Sequence, residues 1–215
     1  MIKNKKVLIV IPARLGGFRF PDKPLRKICD KPMIEWVWKN SIKSRYADKI
    51  VIATPDNKIS EVAKLFGAEV IMTNDNHLRG TERVHEVYEK LNKDFEIVIN
   101  FQGDEPLVKP IDLNNLYREI KSSDADVVSI CHEVNNLEAE KTSNVKVVFD
   151  INHYALYFSR SKIPYGGETF YSHKGIYAFK RESLQRIKYF KSSILSNVED
   201  LEQLHWLEND MSIKM

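Results

Sequence analysis

Three cations and two neighbouring carboxylates carry the chemistry most legible in this 215-residue chain. Arg14, Arg19 and Lys23 follow the apolar run Val7–Ile11, and Asp104 with Glu105 follows the run Glu96–Phe101. Both runs are shorter than the about ten residues a helix needs, so each reads as a buried strand of a parallel sheet. Such sheets bind ligands just beyond the carboxyl ends of their strands. Gly16 and Gly17 let the first loop's backbone approach a ligand closely. Cations and glycines at that place suit a polyanion, and a nucleoside triphosphate fits best. Gly103 permits a sharp turn that aims Asp104 into the cleft, where a carboxylate can hold Mg²⁺ against phosphates. Taken singly, each segment also reads as a solvated polar turn. Together they present complementary halves of one Mg-nucleotide site.

The elements that must position these loops alternate. Lys49–Thr54, Ala68–Met72 and Asp126–His132 read as further strands. Between the strands lie helical patterns. One opens at Pro32, with Met33, Trp36, Val37 and Ile42 apolar. A second is capped by Asp56, buries Ile59, Val62, Ala63 and Phe66, and is ended by Gly67. Thr81–Leu91 follows with Val84, Val87, Tyr88 and Leu91 inward, then Pro110–Ile120. The alternation predicts an α/β fold, a mostly parallel sheet with helices on both faces. Past Asn144 the rhythm changes. Val145–Phe149, Tyr154–Ser159 and Gly175–Phe179 are strand-like without intervening helices, which predicts a small antiparallel extension or dimerisation subregion. Two helices close the chain, the second opened by a capping box, Ser196 with Glu199. A single domain is expected, residues 1–215, with nucleotide binding in about 5–132 and the second substrate and dimerisation in about 133–215.

Composition narrows the function classes. With 33 basic and 30 acidic residues the net charge of +3 is too balanced for a dedicated nucleic-acid binder, and the basic excess sits at Lys3, Lys5 and Lys6. The two cysteines, Cys29 and Cys131, read as reduced and packed, as in the cytosol. No stretch approaches the about eighteen apolar residues of a membrane span, and the five-residue run before Pro12 is a poor export signal.

Neither G-x-x-x-x-G-K-S/T nor G-x-G-x-x-G occurs. What the first loop resembles, in Ile11-Pro-Ala-Arg-Leu-Gly-Gly-Phe-Arg-Phe-Pro-Asp-Lys-Pro-Leu25, is the signature I-P-A-R-x-G-S-x-R-x-P-x-K-P-L of the sugar-activating cytidylyltransferases, with Gly17 in place of the serine. Gln102-Gly-Asp-Glu-Pro106 is similar to a second hallmark, whose aspartate, here Asp104, is the metal ligand. Gly80-Thr-Glu-Arg83 resembles the cytidine-recognising S-G-T-D/E-R, with Arg79 in place of the serine. On the residues alone, Thr81 is equally a simple N-cap and Arg83 a solvated charge. Asn144-Val-Lys-Val-Val148, Tyr154–Arg160 with Ile163-Pro164, His173–Tyr177 and Leu201–Leu204 with Leu207-Glu208 resemble the branch that activates 3-deoxy-manno-octulosonic acid (Kdo). Alternation places His173, Gly175 and Tyr177 on one side of a strand, as a shared site requires.

The resemblance spans Val7 to Met211 and implies transfer of CMP from CTP to the anomeric hydroxyl of Kdo, with Mg²⁺ as cofactor. It implies nucleotide contacts from Ala13, Arg14, Gly16, Lys23, Gly80, Thr81, Arg83 and Asp104. Arg14, Lys23 and Asp104 are the catalytic candidates, and Asp104 the metal ligand. Arg19 would face the α-phosphate or the sugar acid, and Gln102, Arg160, His173, Tyr177, Glu202 and Gln203 the sugar. A homodimer in the cytoplasm acting in lipopolysaccharide-type glycan synthesis is implied as well. Family members carry a later V-D-T-P-E-D-L whose aspartate is another metal ligand. No counterpart precedes Met215, so either the sequence is a piece or the metal relies on Asp104, triphosphate, sugar carboxylate and water. Two other readings stay open: another acidic sugar such as amino-Kdo, or a catalytically weak nucleotide- or sugar-binding relative.

Overall fold

The computed structural model describes residues 6–16, 20–92 and 95–215. In β1 (Val7–Pro12) Leu8 and Val10 face one side and Ile9 and Ile11 the other, and all four are fully buried. A strand apolar on both faces has to lie inside a sheet covered on both sides. After a short ribbon of β2 (Lys27–Ile28) and β3 (Lys31–Pro32), α1 (Met33–Ser41) leads to β4 (Lys49–Thr54), which pairs in parallel with β1. Helix α2 (Asn57–Leu65) leads to β5 (Val70–Met72), parallel to β4. Helix α3 (Gly80–Lys90) leads to β6 (Ile97–Phe101), parallel to β1 on its other flank. Then follow α4 (Pro110–Ser122), β7 (Val127–Val134) and α5 (Asn136–Glu140).

The second half departs from this rhythm. The hairpin of β8 (Lys146–Phe149) and β9 (Ala155–Ser159) precedes β10 (Phe170–Lys180), the longest strand. α6 (Arg181–Arg186), α7 (Ile194–Glu199), α8 (Glu202–Leu207) and β11 (Ile213–Lys214) end the chain. The main sheet runs β11-β7-β10-β6-β1-β4-β5, with β8 and β9 attached beside β10. Helices α1, α2 and α4 bury Ile34, Val37, Ile59, Leu113 and Leu116 on one face. Helices α3, α6 and α8 bury Val84, Val87, Tyr88, Leu184 and Trp206 on the other.

The mostly parallel sheet with covered faces is as the sequence predicts, but Gly175–Phe179 is no peripheral extension. It is the C-terminal half of β10, which runs antiparallel in the middle of the sheet, between β6 and β7. Of the later strands, the β8–β9 hairpin stands beside the main path, pairing through β8 with the N-terminal half of β10. Between Lys174 and Tyr177 the register of β10 advances three residues while β7 advances one, from Ile130 to Ser129. Two extra residues preserve the parity of the strand, so His173 and Tyr177 remain on one side despite the irregularity.

Local details also differ. The buried face of α1 is Ile34, Val37 and Ser41, whereas Ile42 lies beyond the helix and is 48% exposed. α7 is capped by Ser193, whose side chain accepts from Ser196 N, so Ser196 lies inside the helix and opens no capping box. Cys131 is partly buried, but Cys29 is exposed rather than packed. No described helix is long and apolar enough to cross a membrane.

Candidate active site

Three strand tips and one strand irregularity enclose a cleft of about 840 Å³ at the carboxyl edge of the parallel strands. The first wall is the loop after β1. Its backbone is pinned by Asp56, the residue before α2, whose Oδ2 accepts from Leu15 N at 2.9 Å. Asp56 was expected to cap its own helix, but it spends its side chain on this loop instead. Arg14 is exposed in the cleft and makes no hydrogen bond to a described residue, so its guanidinium is available to an anion. Arg19 and Gly17 fall outside the described residues.

The loop after β6 supplies the second wall. Gly103 has no unusual backbone angle; its role is space, since a Cβ there would stand 3.1 Å from the Pro12 carbonyl oxygen. This close approach seats Asp104 beside Lys23, and Lys23 Nζ to Asp104 Oδ2 is 2.6 Å, with both side chains about two-fifths exposed (41% and 39%). Glu105 accepts from Gly175 N at 2.9 Å, and burial pushes its carboxyl pKa up. The two neighbouring carboxylates thus have different partners, Lys23 for Asp104 and the Gly175 N–H for Glu105. The described residues contain no group of three or more His, Cys, Asp or Glu side chains able to hold a metal. A single exposed carboxylate in an oxygen-rich cleft does fit Mg²⁺, which commonly takes one or two carboxylates and completes its shell with phosphates and water.

The head of α3 forms the third wall, differently from the sequence reading. The N-cap is Arg79, and Glu82 Oε2 accepts from Leu78 N at 2.8 Å and Arg79 N at 3.3 Å. Thr81 neither caps the helix nor lines the cleft: it is buried, accepts from Asn100 Nδ2 at 3.0 Å and donates its N–H to Glu202 Oε2 at 3.3 Å. Arg83 lines the cleft but is no solvated charge, for it donates to Thr73 Oγ1 and, at 3.0 Å, to Asn74 O. Burial lowers its pKa, and nearby Arg14 adds to that. Arg79, standing in place of a small hydroxyl, pairs with Asp200 at 2.8 Å and so ties α3 to the C-terminal segment.

The last wall is a buried network. His173 Nε2 lies 2.8 Å from Ser129 Oγ, which itself donates to Ile176 O at 2.7 Å. That leaves the serine lone pairs to accept a proton carried on Nε2. Burial lowers the His173 pKa to about 3, so the ring is neutral near pH 7. Tyr177 Oη donates to Gln203 Oε1 at 3.4 Å, and its ring meets Trp206 edge-on at 4.8 Å. Gln102 Nε2 reaches Glu202 Oε1 at 3.3 Å, and burial raises the Glu202 pKa. Arg160 is at the cleft edge with its donors directed to the carbonyls of Glu199, Thr142 and Asp200. Ala13, Gly16, Gly80, Gln102, Glu202 and Gln203 all line the same cleft.

Sequence reasoning passed over Asn100 and Ser129, and it reached Lys146 only as part of the Asn144–Val148 motif, with no role of its own. Asn100 was detectable as a lone amide inside the apolar run of β6; its Oδ1 has no partner among the described residues.

The cytidylyltransferase family model matches residues 8–213. The chain belongs to the cytidylyltransferase family. Among curated cytidylyltransferases, the 3-deoxy-manno-octulosonate cytidylyltransferase of Fusobacterium nucleatum is 41% identical, over 98% of this chain and 87% of that protein. The enzyme of the same name from Escherichia coli is 38% identical, over 97% of this chain and 86% of its own length. An 8-amino-3,8-dideoxy-manno-octulosonate cytidylyltransferase of Shewanella putrefaciens is also 38% identical, over 97% and 89%. A solved CMP:2-keto-3-deoxy-manno-octonic acid synthetase complexed with CTP superposes with a TM-score of 0.90 at 37% identity, covering 97% of this chain and 88% of that one.

Proposed function

We propose that this cytidylyltransferase joins CTP to Kdo, forming CMP-Kdo and pyrophosphate. The anomeric oxygen attacks the α-phosphorus in line; a new P–O bond forms as the bond to the pyrophosphate oxygen breaks. Such a displacement depends on positioning and charge neutralisation more than on covalent help from the protein. The observation that carries the reading is the placement of Arg14, Lys23 and Asp104 at two adjacent strand tips, facing the His173–Tyr177–Gln203 wall across one cleft. The names of relatives 38–41% identical along nearly the whole chain support the choice of substrates.

Arg14 and Lys23 neutralise the β- and γ-phosphates, Lys23 exchanging its Asp104 partner for phosphate oxygen. Gly80 and Arg83 border the nucleoside, with Thr81 acting from beneath by fixing Asn100 and Glu202. Gln102, Tyr177 and Gln203 offer donors and acceptors to sugar hydroxyls, and neutral His173 is a neutral donor or acceptor rather than the cation for the acid. Mg²⁺ would be held by Asp104 and would supply charge neutralisation at the phosphates and a lowered pKa for the attacking hydroxyl. The reading places the protein in the cytoplasm, where CTP is made, in the service of lipopolysaccharide-type glycans. It also implies a homodimer. The open edge of β9 beside exposed Ile151 (95%) and Leu156 (62%) supports one, since such edges are commonly covered. A 25.1 kDa species in sedimentation equilibrium at micromolar concentration would count against it.

The deciding experiment measures pyrophosphate release with each nucleoside triphosphate, with and without Mg²⁺, and with Kdo or its 8-amino analogue as acceptor. Release only with CTP, Mg²⁺ and Kdo supports the reading. Preference for the amino sugar would transfer it to the chemistry named for the Shewanella relative. Nucleotide binding without release would leave a binding protein.

A further inference from the structure

A fully buried lysine lies directly behind the acceptor side of the cleft. Lys146, the first residue of β8, has 0% exposure. Its ammonium donates to Lys141 O at 3.0 Å, Asn144 O at 2.6 Å and Arg160 O at 2.5 Å. These use all three protons of the group. No carboxylate forms a direct ion pair with it among the described residues; Glu199 and Glu140 favour its charge from farther away, and its hydrogen bonds all go to carbonyls. Ion pairing is thus not its purpose in the fold; satisfying three converging carbonyls is.

Its neighbours in chain and in register are the wall itself. Ser143, Asn144 and Val145 precede it and line the cleft. Across the strands it pairs with Ser159 on β9, next to Arg160, and with Ser172 on β10, next to His173. His173 N donates to Val145 O at 2.8 Å, fastening β10 to the same point. Arg160 is then clamped twice: its N–H to Glu199 Oε2 at 2.8 Å and its carbonyl to Lys146.

We propose that Lys146 is a positioning residue for the acceptor sugar, holding the 141–145 loop and Arg160 at the spacing the bound sugar requires without touching it. The inference rests on the functional reading above, because it assigns this wall to the acceptor. Among the described residues, no hydrogen bond or ion pair joins Lys146 to Arg14, Lys23 or Asp104. The consequence is therefore one-sided. A buried group whose donors are lost leaves its acceptors unpaired, and the loops that carry them have to rearrange to reach water.

The test compares wild type with Lys146→Met, which keeps length but donates nothing, and Lys146→Gln, whose amide can serve two carbonyls. Kinetics by pyrophosphate release give kcat and the KM for Kdo; calorimetry gives the Kd for CTP with Mg²⁺. Lys146→Met should raise the KM for Kdo at least about tenfold while the Kd for CTP stays within about twofold, and Lys146→Gln should fall between. If Lys146→Met fails to fold, Lys146→Gln carries the same comparison. An unchanged KM, a parallel loss of CTP affinity, or failure of both variants to fold overturns the proposal in favour of a purely structural lysine. A wild-type chain that releases no pyrophosphate with CTP and Kdo overturns the functional reading and this inference with it. Turnover by wild type with unshifted variants overturns the inference alone.

Discussion

The two sides of the cleft are built on opposite principles. On the phosphate side Arg14 is exposed, and Lys23 and Asp104 are joined by one solvent-screened ion pair with both side chains about two-fifths exposed (41% and 39%). On the acceptor side His173, Tyr177, Glu202 and Gln203 are buried, and each polar group named there already has a protein partner. An exposed pair is worth at most about 1 kcal/mol, so it can be exchanged for a ligand at little cost. A satisfied buried network is exchanged only at greater cost; it holds its shape and meets a ligand through the donors and acceptors left over. In the reading proposed above, affinity for charge and selectivity for shape are divided between the walls.

Substitutions should separate the two. Asp104→Ala should lower kcat/KM by about a hundredfold or more, and Lys23→Ala by about tenfold to a hundredfold, the scale of one transition-state charge contact. Both should keep thermal stability within about half a kcal/mol, as surface-loop changes usually do. Normal turnover by either variant breaks the assignment of that residue. In the buried network that links α3 to β6 and Glu202 the balance reverses. Thr81→Val leaves Asn100 Nδ2 without its acceptor, and should cost about 1–3 kcal/mol in denaturant unfolding with only a few-fold loss of activity. An unaltered midpoint would show that the network contributes no rigidity.

Acidity probes the buried wall chiefly through His173. The folded-state pKa of His173, about 3, is depressed below its ordinary 6.5, so between these values the unfolded chain binds the proton and the folded chain does not. Stability should therefore be fully present above pH 6.5 and fall as pH drops toward 3, by on the order of 1 kcal/mol per unit. Burial also lowers His132 and His205, which add to the slope in the same direction. Glu86, lowered to about 2 from 4.5, contributes only below pH 4.5. His173→Gln should flatten the stability profile between pH 6 and 5; an unchanged slope there would contradict a neutral, buried imidazole. The smallest effect is expected at the seam between the walls. Gly103→Ala places a Cβ 3.1 Å from the Pro12 carbonyl oxygen, and should shift Asp104 enough for a few-fold loss in kcat with stability nearly unchanged.

The same division explains what the sequence revealed. The phosphate side is local: a strand, a proline and a run of cations can be read from about twenty neighbouring residues, and Asp104 falls at a strand tip for the same reason. The acceptor side is assembled from distant segments. Thr81 meets Glu202 across a separation of 121 residues, and Ser129 meets His173 across 44, so spacing along the chain says nothing of either contact. Thr81 was misplaced because Arg79 takes the cap with help from Glu82, one turn logic replacing another. The central position of β10 was hidden because an antiparallel strand inserted between parallel ones carries no periodicity of its own.

Lys23 and Asp104, as proposed above, are the two halves of one metal-nucleotide site. That assignment is tested most directly by calorimetric titration of CTP into wild type and Asp104→Asn, each in Mg²⁺ and in EDTA. Wild type should bind CTP at least about tenfold more tightly in Mg²⁺ than in EDTA, and Asp104→Asn should lose most of that difference. An Asp104→Asn protein that keeps the full Mg²⁺ dependence would contradict the account and place the metal elsewhere.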